Sequence, residues 1–218
     1  MLKLTPRRIL SGLAIIAGVG LVTKIVLANT GGVKAKRIAC FGDSLTAAGI
    51  YAKELARLTG VETKAFGYTS KGTKFLLSQV KTVLAWQPDT VVVLAGVNDL
   101  PTTKPQDVSG NSAKGRTVTS GLERIYDAFK QAGVQVIAVK LTPWGAYGTF
   151  NVTGTKLVNE WIGGEGKKLV DAVVDTSALG VGDKLNLNTA YSADGLHMTA
   201  AGYNKLAELI AKKVKLAK

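Results

Sequence analysis

The 218-residue chain is long enough for one domain of ordinary size plus a terminal appendage, and its 46% apolar residues suffice for a packed core. A net charge of +13 favours anionic surfaces such as phospholipid headgroups, envelope polymers or nucleic acid. A single cysteine excludes an internal disulfide, one His with one Cys excludes a structural zinc site of the usual kind, and without a zinc-finger, RNP-type or GxxG signature there is no mark of specific nucleic-acid recognition.

In chain order, residues 1–28 stand apart. Lys3, Arg7 and Arg8 precede the apolar run Ile9 to Val22, followed by Thr23, Lys24 and Ile25 to Ala28. A basic start, an apolar middle and the small-x-small triplet Val26-Leu27-Ala28 describe a signal peptide. The same span reaches the roughly 20 residues that cross a bilayer, which describes a retained membrane anchor equally well. Both readings put the remainder outside the cytoplasm, secreted or anchored to the membrane. Residues 29–36 form a short polar linker, and 37–218 form the globular domain.

Within that domain Arg37 to Phe41 is the first strand, and Cys40 is a small core residue inside it. Tyr51 to Leu58 is a helix stopped by Gly60, Glu62 to Phe66 a second strand, and Thr73 to Trp86 an amphipathic helix closed by Pro88. The β-branched run Thr90 to Ala95 has the composition of a strand covered on both faces. Leu100 to Arg116 is a long polar loop. Val118 to Ala132 is helical, and Val134 to Val139 is a further buried strand. Leu141 to Gly154 is a second loop, whose Trp144, Tyr147 and Phe150 are candidates to line a binding site. Thr155 to Ile162 is helical, Val170 to Val174 is the last strand, Asp175 to Ala193 is loop, and Ala200 to Lys215 closes the chain as a helix. Alternation of strands and helices predicts an α/β fold with a central parallel sheet and helices on both faces, its sites at the strand ends.

Two stretches carry chemistry. Gly42-Asp43-Ser44-Leu45 is a tight turn between the first strand and a helix, and Ser44 either caps that helix or acts as a nucleophile. The only histidine, His197, lies in Asp194-Gly195-Leu196-His197, directly before the last helix. A serine, a histidine and an aspartate supply nucleophile, base and orienting acid. Asn98, in Gly96-Val97-Asn98-Asp99, follows the Thr90 to Ala95 strand, and Gly72 precedes the Thr73 helix. Two alternatives fall away: the stretch Gly67 to Lys74 has Thr73 where a phosphate-binding loop needs lysine, and no Gly-x-Ser-x-Gly elbow surrounds Ser44.

These four blocks, in this order and at these strand ends, resemble the GDSL, or SGNH, hydrolase family over nearly the whole globular part. The resemblance implies a flavodoxin-like three-layer α/β/α sandwich and a serine esterase that needs no metal or cofactor. It also implies roles: Ser44 the nucleophile, His197 the general base and acid, Asp194 its orienting partner, and Asn98 and Gly72 oxyanion-hole donors beside the Ser44 N–H, with Asp99 supporting the loop. The second block departs from the family pattern, and Gly67 is the alternative to Gly72. Implied substrates are lipid esters of lysophospholipase or lipase type, or O-acetylated cell-surface glycans, with a membrane or anionic envelope surface as a partner. A non-catalytic envelope-binding module on the same fold is the rival reading.

Overall fold

The computed structural model of the chain describes residues 35–102, 118–144, 149–182 and 186–214. Residues 1–28, with the expected signal peptide or anchor, lie outside them, as does most of the long polar loop. Among the described residues no helix is long and apolar enough to cross a membrane.

The chain runs β1 (Arg37–Gly42), α1 (Ser44–Ala47), α2 (Ile50–Thr59), β2 (Glu62–Gly67), α3 (Thr73–Leu84), β3 (Thr90–Leu94), α4 (Val118–Gln131), β4 (Gln135–Val139), α5 (Thr149–Gly163), β5 (Ala172–Val174), a hairpin of β6 (Gly180–Val181) and β7 (Asn186–Leu187), and α6 (Ala200–Ala211). Five strands pair in parallel in the order β2-β1-β3-β4-β5. The alternation expected of a pleated strand divides their side chains between two cores. Phe41, Val91, Val93, Val136 and Ala138 pack with Leu76, Leu122, Ile125 and Phe129 from α3 and α4, and with Val158 and Ile162 from α5. Ile38, Cys40, Val92, Leu94, Ile137 and Val139 pack with Tyr51 and Leu55 from α2, and with Tyr203, Leu206 and Ile210 from α6. Apolar cover on both faces is why β3 is buried along its whole length, and it makes the three-layer sandwich with a central parallel sheet. Burial pushes the Cys40 thiol up to about 12, leaving an inert core residue.

Three expectations need correction. Residues 149–154, read as loop, belong to α5. A Cβ at Gly154 would stand 2.8 Å from Leu100 Cδ2, so its small size lets the helix approach the turn after β3. The stretch 175–193 is not plain loop: it carries a 3-10 turn at Ser177–Leu179 and the β6–β7 hairpin, whose two-residue strands are too short to show alternation. The last helix ends at Ala211 instead of Lys215.

The register brings Gly42 opposite Gly67 on β2 and Leu94 on β3, so the turn after β1 opens between two neighbouring strand ends. Gly67 packs under α1, where a Cβ would stand 2.0 Å from the Ala47 nitrogen. Backbone cannot yield as a flexible side chain does. Gly67→Ala is therefore expected to cost about 1–3 kcal/mol, read as a lower urea midpoint at unchanged slope.

Candidate active site

β1 ends in the turn that presents Ser44. Asp43 caps α1: its Oδ1 accepts from the Leu45 N–H at 3.0 Å, and its carbonyl accepts from Thr46 and Ala47. The cap is thus Asp43, and Ser44 is the first helical residue with its hydroxyl left over. That hydroxyl lies 3.1 Å from His197 Nε2.

His197 is held by its own loop. Asp194 Oδ2 lies 2.8 Å from His197 Nδ1, while Asp194 Oδ1 accepts from the backbone N–H of Leu196 at 2.9 Å and of His197 at 2.7 Å. Burial raises the Asp194 carboxyl, but these donors outweigh it and hold it down at about 2. An ionised carboxylate only accepts, so Nδ1 carries the proton and Nε2 faces Ser44 as an acceptor. Both side chains are 49% exposed, so the pair opens to solvent. Ser192, which matched no motif, ties the loop down: its hydroxyl donates to the His197 carbonyl at 2.7 Å and accepts from Gly195 N–H at 2.9 Å. Only the folded loop reveals that part.

The second and third blocks also meet. Asn98 Nδ2 donates to the Lys71 carbonyl at 3.3 Å, on the peptide that leads into Gly72. Asp99 accepts from the Thr73 N–H at 3.0 Å and its hydroxyl at 2.9 Å, so it supports the loop as expected. Burial raises the Asp99 carboxyl, and the two Thr73 bonds oppose that. A Cβ at Gly72 would stand 2.7 Å from Asp99 Oδ1, so glycine lets this turn lie against the carboxylate. Of the two candidate glycines, Gly72 is the one beside Asn98 and Asp99, and Gly67 serves strand–helix packing.

Asp43 is 1% exposed, and burial pushes its carboxyl up to about 7; the Leu45 N–H and His197 oppose the rise, and Asp99 adds to it. Its Oδ2 is buried without a hydrogen-bond partner among the described residues.

Of the aromatic loop, Trp144 is a correction. It is 5% exposed and belongs to the core packed by α4 and α5, so it is no open wall. The Tyr147 and Phe150 side chains lie outside the described residues. A cavity of about 650 Å³, lined by Lys140, Asn159 and Asp175 among others, opens at the ends of β4 and β5 and shares no lining residue with the Ser44–His197 pair. Among the described residues no three His, Cys, Asp or Glu side chains come together as a metal-binding group.

The model of the GDSL-like lipase/acylhydrolase family matches residues 40–205. No curated protein matches the chain. Solved structures do. A G-D-S-L family protein from Desulfitobacterium hafniense DCB-2 is 19% identical with a TM-score of 0.68, over 82% of this chain and 99% of that one. A GDSL-like lipase from Bacteroides thetaiotaomicron VPI-5482 is 21% identical with a TM-score of 0.65, over 81% and 86%. An acetyl xylan esterase from Geobacillus stearothermophilus is 15% identical with a TM-score of 0.63, over 85% and 97%. At these identities the likeness to solved structures is one of fold.

Proposed function

The chain belongs to the GDSL-like lipase/acylhydrolase family, and from that premise we propose that it is a serine esterase working through an acyl-enzyme on lipid esters or on O-acetyl groups of cell-surface glycans. The observation that carries this reading is the relay Ser44 Oγ–His197 Nε2 at 3.1 Å continued by His197 Nδ1–Asp194 Oδ2 at 2.8 Å.

Ser44 Oγ attacks the ester carbonyl as His197 Nε2 takes its proton, and Asp194 stabilises the imidazolium that results. The oxyanion is met by the N–H groups of Ser44 and Gly72 and by Asn98 Nδ2, whose second hydrogen is not needed for Lys71. His197 then protonates the departing alkoxide, leaving the acyl group on Ser44. A water activated by the same imidazole attacks this acyl-enzyme and restores the serine. None of these steps draws on a metal or cofactor.

The net charge of +13 suits an anionic envelope surface, and the acetyl xylan esterase among the structural neighbours makes acetylated polysaccharide a natural substrate class. The N-terminal segment would deliver the enzyme there, as a cleaved signal or a retained anchor.

Hydrolysis of p-nitrophenyl acetate by the full chain tests the activity, and no turnover of it or of longer esters would end the reading. A panel of graded acyl chain lengths with acetylated xylan and peptidoglycan separates lipid from glycan esters. Asn98→Ala is expected to lower kcat about 10²-fold with KM little changed, because its donor acts mainly on charge that develops in the transition state.

A further inference from the structure

We infer that Asp43 is a second carboxylate for His197: a positioning residue whose negative charge, carried by the turn that presents Ser44, favours the imidazolium formed during acyl transfer. The inference rests on the esterase reading and extends it to a residue outside the triad.

Helix capping does not account for a carboxylate at this position. The cap uses Oδ1 alone, and Asn or Ser would accept from the Leu45 N–H equally well. An aspartate adds a second oxygen, Oδ2, buried with no hydrogen-bond partner among the described residues. Burying an unpaired carboxylate is unfavourable, so a structural role alone would be served better by a neutral capping residue. Asp43 adjoins Ser44, whose Oγ lies 3.1 Å from Nε2 of His197, and the other groups that bear on it are Tyr51 on α2 with Cys40 beside it, Asp99 in the turn after β3, and Tyr203 on α6. Cys40, Tyr51 and Tyr203 hold their protons, all raised by burial, and the Asp99 carboxylate is engaged by Thr73. Of these groups only His197 becomes a cation, and it does so at the moment of attack. Asp43 changes charge near pH 7, so its support for the imidazolium is present above neutrality and withdrawn below it.

Asn is the electrostatic copy of a protonated Asp, which sets the test. The quantity is kcat/KM of the full-length wild type and Asp43→Asn between pH 5.5 and 8.5, with Asp43→Ser as a second capping variant. The expected ratio of wild type to either variant is about tenfold at pH 8.5, closing towards unity at pH 5.5. A ratio that is constant with pH, or unity throughout, overturns the inference; a lost cap would give the constant one. The chain has one histidine, so the ring signals of His197 in NMR give a substrate-free readout. Wild type and Asp43→Asn are expected to differ in the pH dependence of these signals between pH 5.5 and 8.5, and superimposable curves overturn the inference. A chain inactive on every ester would sink the esterase reading, and the NMR comparison would still decide whether Asp43 and His197 are coupled.

Discussion

Ser44→Ala is expected to lower kcat for p-nitrophenyl acetate about 10⁴-fold or more, with stability changed by less than about 1 kcal/mol. The hydroxyl's bond in the structure is the one to His197, on a loop held independently by Asp194 and Ser192, so its loss leaves the fold intact. Asp43, not Ser44, caps α1, so the helix start survives as well. His197→Ala should cost about as much, and the double variant no more than either single one, because the two groups act as a unit. Residual turnover within about tenfold of wild type in a folded Ser44→Ala would show that the nucleophile is elsewhere.

Asp43→Asn is expected to make the protein more stable at pH 8, on the order of 4 kcal/mol, and to leave it unchanged at pH 4. The Asp43 carboxyl moves from an ordinary 3.8 to about 7 on folding. An acid that holds its proton more tightly when folded contributes stability that is complete below its unfolded value, near pH 4, and is lost as pH rises through about 7. Wild type should therefore weaken from pH 4 to pH 8, and the asparagine variant, with no charge to bury, should not show that component. Urea unfolding of both proteins at the two pH values measures this directly. Equal midpoints at pH 8 would mean that the charge is better solvated than its burial indicates. Greater stability paired with slower turnover would mark Asp43 as a residue kept for the reaction against the interest of the fold.

Most of the architecture is legible in the residues. Val91, Val92 and Val93 announce a strand covered on both faces, and helices of ordinary length between such strands leave a parallel sheet as the natural arrangement. Asp-x-x-His before a helix can be read as an acid–base pair because the contact between its members is local. What stayed hidden depends on distance in space. Gly154 reads as the end of a loop until Leu100 is seen against it inside α5, and Trp144 reads as a binding-site aromatic until it is found in the core. Spacing does not distinguish Gly67 from Gly72; the structure adds that Gly67 lies against Ala47 and Gly72 against Asp99. Asp43 looks like an ordinary turn residue in a Gly-Asp-Ser triplet, and its burial follows from cover supplied by remote elements.

The packing of α6 on α2 has a further consequence. The loop with His197 runs straight into α6, anchored by Thr199 as that helix's cap, and α6 rests on α2 through Tyr203, Leu206 and Ile210 against Tyr51 and Leu55. Neither helix contributes a strand to the sheet. Opening of α6 would carry the imidazole away from the serine and bare the Val92, Leu94 and Ile137 face of the sheet, so heat or denaturant is expected to abolish any turnover no later than it loosens that face.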